Sequence, residues 1–457
     1  MRRRLLLIAG ILTIAAEGVA LAQQAQPVTA PLSVSYVQFT LPNGLHVILH
    51  EDHTVPMVAV NMWYHVGSAH EKVGRTGFAH LFEHLMFEGS KHVQEGEFDT
   101  LLESAGGSNN GSTSNDRTNY FIDVPSNALE LALFLESDRM AYLLETMTPA
   151  RVDGQRDVVK NERRQSYENR PYGMASLLLN EMLYPKNHPY HWPTIGYMED
   201  LTAAGYEDVV EFFRRYYAPN NASLVIAGDI NPPETRRLVE KWFGEVPRGG
   251  PIDPIVPPAA VLTGVQRRTI TDRVQLPRLF LAWVTPSFYA PGDAALDVLS
   301  AVLTGGKNSR LYKRLVYDEQ IAQSVSAAQQ SQRLASEFVI DVIPRPGHTV
   351  EEMQKIIDEE LERLKESPPD AREVERALNQ IEASFYSRME RVGSYGGKAD
   401  QLNAYYAYTG NPDYFGEDLA RYRALTPQDI QAIAQRFLPR DRRVELVVMP
   451  ETDTAGR

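Results

Sequence analysis

The chain has 457 residues, a formal net charge of −13 and no cysteine. The acidic balance argues against nucleic acid as a partner. The missing thiols exclude disulfides and thiolate metal sites, so any metal must be held by His and carboxylate side chains.

The first segment carries Arg2, Arg3 and Arg4, then an apolar run from Leu5 to Ala16, then Ala20-Leu21-Ala22. This pattern is a secretory signal peptide over 1–22, too short to span a membrane. No later stretch is long and apolar enough to cross a bilayer, so the expected address is the bacterial periplasm. Residues 23–33 are polar and rich in Ala and Pro, and are expected to form a disordered leader. Strand-like alternation begins at Val37-Gln38-Phe39-Thr40. Asn43-Gly44 signals a hairpin turn, His46 to His50 returns, and Val58 to Val66 is a further strand.

A helix is predicted from about Thr76, and it contains His80-Leu81-Phe82-Glu83-His84. Positions i and i+4 lie on one helix face, so both imidazoles can grip one metal ion from one side. Glu83 falls beside them, where a zinc hydrolase needs a general base. The order H-x-x-E-H inverts the commoner H-E-x-x-H motif. Phe78, Leu81, Phe82, Leu85, Met86 and Phe87 surround the triplet, which makes this a core helix. Two His and a Glu inside it are costly unless something satisfies them, and a metal ion would. The plainer alternative is a pair of surface or core histidines on an amphipathic helix.

A catalytic zinc takes three protein ligands and keeps one position for water. The best candidate for the third is Glu162, in the helical stretch with Val158-Val159. Among Lys160, Arg163 and Arg164 the same residue also reads as a salt-bridged surface Glu.

Residues 248–258 are crowded with Gly and Pro and form a linker. They separate a domain over 34–247 from one over 259–450, with a tail at 451–457. The two domains look like distant copies. Each opens with strands, continues with long helices and closes with a helix, a turn and a strand, which is an α+β layer fold. With Gly89 set against Gly305, His80, Glu83 and His84 fall on Leu296, Leu299 and Ser300. The second copy keeps the helix and lacks the metal residues.

Taken together the segments resemble the pitrilysin, insulinase and mitochondrial-processing-peptidase family of zinc peptidases. Gly67-Ser68 and Glu71 match its G-S-x-x-E segment, and HLFEH follows. AGGSNNGSTSNDRTNYF resembles its G-G-x-x-N-A-x-T-x-x-D-x-T-x-Y stretch, and VVKNE stands where the third ligand is expected. GGKNSRLYKRL in the second copy resembles G-G-x-x-S-R-L. The resemblance implies half of a four-domain clamshell. It also implies one Zn2+ held by His80, His84 and Glu162, with Glu83 as general base. Asn110 and the strand through Gly111, Ser112 and Thr113 would pair with an extended peptide substrate. The reading that follows is a zinc endopeptidase acting on peptides or unfolded chains inside a closed chamber.

Two departures from the family pattern matter. Gln155 stands where a second Glu is frequent, seven residues before the third ligand; its amide can still hydrogen-bond around the ligands. The Arg and Tyr with which the family holds substrate fall on Val316 and Gln323. Both are missing, and Arg314 and Tyr317 have the wrong spacing. A heterodimer is therefore expected, in which a homologous metal-free subunit supplies the Arg and Tyr; a homodimer is the alternative. The other classes in play are a non-catalytic peptide-binding scaffold and a structural metal protein.

Overall fold

The computed structural model describes residues 32–451. The expected signal peptide, most of the expected leader and the end of the expected tail lie outside the described residues. The Val34 N–H, just after the leader, donates to Asp413 at 2.8 Å.

Two mixed sheets carry the fold. The first contains β1 (Val37–Thr40), β2 (His46–Glu51), β3 (Met57–Tyr64), β4 (Ser108–Thr113), β5 (Thr118–Pro125) and β6 (Ala222–Gly228), in the order β1-β2-β6-β3-β5-β4. The second contains β7 (Gln266–Asp272), β8 (Arg278–Thr285), β9 (Ala322–Gln330), β10 (Ser336–Pro344) and β11 (Val444–Pro450), in the order β7-β11-β8-β10-β9. With β1 set aside, the two orders correspond strand for strand. In each, the closing strand runs parallel to the opening one and antiparallel to its other neighbour. The chain is thus a duplicated α/β unit.

Asn-Gly does form the β1–β2 turn. Gly44 takes φ 97°, and the buried Asn43 amide donates to the carbonyls of Phe243 and Val246. Each sheet buries one face in its own copy's core. Met62 and Tyr64 on β3 point into the first core, and Leu279, Leu281 and Trp283 on β8 point into the second.

The opposite faces are covered by exchange. Helix Met174–Leu183, from the first copy, lies on β8 and β11. Its Ala175, Leu178, Leu179 and Leu183 join Phe280, Ala282, Val444, Leu446 and Val448 in an apolar layer. Helix Lys398–Thr409, from the second copy, lies on β2, β3 and β6. That return contact packs Trp63 edge-on against Tyr408 and adds a buried polar network. Strand alternation turns Asn61 and Trp63 away from the core that takes Met62 and Tyr64. The buried Asp400 carboxylate accepts from Trp63 Nε1 at 2.8 Å, Asn119 Nδ2 at 2.9 Å, Asn61 Nδ2 at 3.3 Å and the Gly396 N–H at 2.9 Å. Asn403 Nδ2 donates to the Asn61 and Ser223 carbonyls. Residues 247–263 between the copies contain no helix or strand.

Asp400→Ala strips one acceptor from several buried donors. It is expected to cost about 2–4 kcal/mol, read as a lowered midpoint in urea denaturation. A loss under about 0.5 kcal/mol, the range of an ordinary surface substitution, would mean that the contact does not hold the exchanged helix.

Candidate metal centre and its sheet edge

Helix Phe78–Leu85 is only eight residues long. In isolation such a helix is not stable in water, so its neighbours hold it. It lies against β4, β5 and the Pro149–Arg163 helix. Phe82 stacks on Phe212 and Phe213 and tilts onto Tyr217. Phe78, Leu81, Phe82 and Leu85 are buried, while His80, Glu83 and His84 share the half-buried face.

Helix Pro149–Arg163 starts on a Thr148 cap with proline at its first position, an arrangement that suits a helix N-terminus. Val152 and Val159 face the core. Of the expected apolar pair only Val159 is buried; Val158 is 45% exposed. Arg163 is buried and donates to the Gly196 carbonyl at 2.6 Å and to Glu168 at 3.2 Å. This anchors the last helical turn and sets the direction of Glu162. Beyond it the helix widens into a π-turn over Arg164–Glu168.

The two helices bring three acceptor atoms together. His84 Nε2 lies 3.2 Å and His80 Nε2 3.6 Å from the same Glu162 oxygen. Bonds of about 2.1 Å to a tetrahedral zinc place ligand atoms about 3.4 Å apart, and the observed separations bracket that value. Among the described residues this is the one group of His and carboxylate side chains close enough to share an ion. Burial lowers the His80 ring below its ordinary value, favouring the neutral form that a metal needs. The adjacent His84 ring, and after it His80, hold the Glu162 carboxyl below the usual range. A proton or a metal ion between them would relieve the repulsion of lone pairs this close, and two imidazole nitrogens with one carboxylate oxygen form a donor set that suits a divalent ion.

Glu83 turns to the sheet. A Cβ on Gly111 would sit 3.1 Å from Glu83 Cγ and 3.2 Å from the Tyr120 ring. Glycine there lets β4 pass directly beside the carboxylate. Strand β4 pairs only with β5 and leaves its other edge open. The Ser114 N–H donates to the Arg117 carbonyl to close the hairpin. By strict alternation the backbone groups of Asn109, Gly111 and Thr113 then face the open edge. Asn110 Oδ1 accepts the Gly111 N–H at 2.8 Å. Ser112 is engaged inside the hairpin, where its hydroxyl meets Asn119 and Arg117 donates to its carbonyl. Of the four residues expected to meet a peptide, Gly111 and Thr113 thus turn their backbone outward, while Asn110 and Ser112 face β5.

Gln155 makes no hydrogen bond to His80, His84 or Glu162. Its amide donates to Glu88, one turn beyond His84, so its expected place around the ligands is taken up by that contact. His92 pairs with Asp138 and His188 stacks on Tyr184, away from the triad. Arg314 lies in a π-turn over Tyr312–Asp318 and is engaged by Glu319, Glu359 and Glu360 at 2.8, 2.6 and 2.9 Å. Tyr317 is 67% exposed. The glycines of GGKNSRL form the turn after helix Asp293–Thr304, and its Arg310 makes a two-pronged pair with Glu373.

Sequence reasoning assigned no role to Glu71, Gly67 or Ser68. The Glu71 carboxylate accepts the Gly77 and Ala79 N–H groups at the start of the metal helix. A Cβ on Gly67 would lie 2.3 Å from the Ser114 carbonyl oxygen. Ser68 takes the Trp192 indole N–H on its carbonyl and donates its hydroxyl to Asn115. The G-S-x-x-E spacing was visible, but only the fold shows that it joins this helix to the β4–β5 turn.

Comparison with known proteins agrees with this architecture. The family model described as Insulinase (Peptidase family M16) matches residues 46–189, and the one described as Peptidase M16 inactive domain matches 203–381. A zinc protease of Helicobacter pylori, PqqE, is 32% identical over 358 residues, which are 77% of this chain and 79% of that protein. The crystal structure of a protease from Helicobacter pylori superposes with a TM-score of 0.83 at 28% identity, covering 92% of this chain and all of that one. The periplasmic protease PqqL of Escherichia coli has the same fold at a TM-score of 0.73 and 18% identity; this chain spans 48% of its length.

Zinc titration of the metal-free protein is expected to give one ion per chain. Glu162→Ala should weaken binding by more than about 100-fold, since even partners of ligands are worth about 10- to 100-fold. Equal affinity in the variant would remove Glu162 from the ligand set.

Proposed function

Because the chain belongs to the insulinase (M16) family of peptidases, we propose that it is a zinc endopeptidase, with His80, His84 and Glu162 as ligands and Glu83 as general base. The observation that carries this reading is the convergence of three ligand atoms from two helices, with a carboxylate beside them at an open strand edge.

A zinc ion held by His80, His84 and Glu162 would supply a water of lowered pKa and polarise the carbonyl under attack. The remaining work falls to the chain itself. The outward backbone of Gly111 and Thr113 takes an extended peptide as an added strand. Asn110 must then release the Gly111 N–H that its side chain now occupies. Glu83 removes a proton from the attacking water and delivers it to the leaving amine nitrogen. Open-edge pairing reads backbone rather than side chains, which suits peptides or unfolded chains over folded proteins.

We further propose that the protein is exported to the periplasm and works as the metal-bearing half of a heterodimer. The N-terminal 22 residues support the first point, and PqqL, which shares the fold, is itself described as periplasmic. Val316 and Gln323, in place of an Arg and a Tyr, support the second, as does the engagement of Arg314 by three carboxylates.

Purified protein, alone and with the chain that co-purifies from its native host, should cleave unstructured peptides and stop when chelated. Glu83→Gln should keep its zinc and lose at least about 100-fold in rate, the usual contribution of a general base. Undiminished cleavage by Glu83→Gln would exclude Glu83 as the base. Fully active self-dimers from the native host would exclude the heterodimer.

A further inference from the structure

The metal helix has no cap of its own. Its N-cap, Gly77, sits in the left-handed region with φ 87° and carries no side chain. The free N–H groups at this end are met by Glu71, which lies outside the helix. Glu71 Oε2 accepts from Gly77 at 3.0 Å and Oε1 from Ala79 at 2.8 Å. Glu71 is only 7% exposed. Burial pushes its carboxyl up to about 8, opposed by the backbone N–H groups of Ala79, Gly77 and Phe78. A Ser or Asn at the N-cap would serve the helix without burying a carboxylate. What Glu71 adds is a connection.

Glu71 closes the short turn Ser68–His70, its own N–H donating to the Ser68 carbonyl at 3.1 Å. From that turn the Ser68 and Ala69 N–H groups donate to the Ser114 and Asn115 carbonyls at 3.2 and 2.8 Å. Those carbonyls belong to the loop joining β4 to β5. An unbroken hydrogen-bonded path thus runs from the hairpin with the open edge to the first turn of the helix that bears Glu83. Further along the helix the two elements meet again, where the Tyr120 hydroxyl of β5 donates to the Phe82 carbonyl at 3.2 Å. The helix is tied to one hairpin at two heights.

We infer that Glu71 is a positioning residue, which sets the height of Glu83 over the β4 edge by tying the metal helix to the β4–β5 turn. The inference rests on the peptidase reading above. Compared above pH 8, where Glu71 is ionised, Glu71→Gln keeps the side-chain length but offers one acceptor oxygen and turns an NH2 group toward backbone N–H donors. In the active form of the protein, with its partner subunit if one is needed, kcat should fall about tenfold, because small displacements of reacting groups are costly. KM should stay within about twofold and one zinc should remain bound per chain, since the ligands and the edge strand are untouched. Amide exchange over 78–85 should quicken while that of the core helix 129–146 does not. Glu71→Asp keeps the carboxylate, one methylene short, and should recover part of kcat; it carries the same comparison if the Gln variant does not fold. A residue that merely stabilised the fold would lower the melting temperature and leave kcat per zinc-loaded chain unchanged. That result, or unaltered exchange over 78–85, overturns the inference. If the unmodified protein cleaves nothing in any form, the peptidase reading falls, and the exchange measurement still decides whether Glu71 holds the helix.

Discussion

Everything in the first copy follows from holding eight residues of helix in place. That helix presents two imidazoles and a carboxylate on one face, and these cannot be buried as an ordinary core stripe. It is too short to persist by itself. The aromatic group of Phe82, Phe212, Phe213 and Tyr217 grips its apolar side. Glu71 supplies acceptors for its first N–H groups, and helix Pro149–Arg163 completes the polar face with Glu162. None of these contacts is strong alone, and together they leave the triad little freedom to rearrange. That is what a metal site needs if its ligand spacing is to exist before the ion arrives.

The duplication shows what the same framework does without this demand. Strand order and helix placement repeat, but Leu296 and Leu299 are fully buried where His80 and Glu83 stand in the first copy. The second helix runs twelve residues, Asp293–Thr304, against eight for the metal helix. An apolar stripe can lengthen and bury itself. The polar triplet instead stays on a half-buried face, and its helix ends soon after.

Legibility from sequence tracked how local each signal was. The Asn-Gly turn, the i, i+4 histidines and the closing helix-turn-strand units depend on neighbours in the chain, and all stand where the residues placed them. Glu162 was found as a candidate because the donor set was missing one member. The exchange of helices was not legible. Ala175, Leu178, Leu179 and Leu183 announce a buried stripe, but periodicity does not say which sheet receives it. Asp400 and Asn403 carry no signal of burial, because nothing near them in sequence hints at Trp63 and Asn119. Val158 and Val159 show a related limit, because adjacent apolar residues need not share a helix face. Gln155 was placed by analogy of spacing, and Glu88 competes for its amide.

The reciprocal covering of the sheets also orders events in time. A chain that emerges N-terminus first can complete the six strands of its first sheet once residue 228 is available. The outer face of β3 and β6 then waits for a helix some 170 residues further on, at 398–409. That interval is closed by one of the longest-range contacts in the molecule, and such closures are slow. Meanwhile the waiting face holds Ile48, Trp63, Val225 and Ala227 beside the polar Asn61 and Ser223. That face mixes polar and apolar groups, whereas helix Met174–Leu183 covers an apolar layer on the other sheet, and that helix already exists when β8 and β11 are made. The early sheet, uncovered for longest, thus carries the outer face with the more polar groups, Asn61, Asn119 and Ser223 among them.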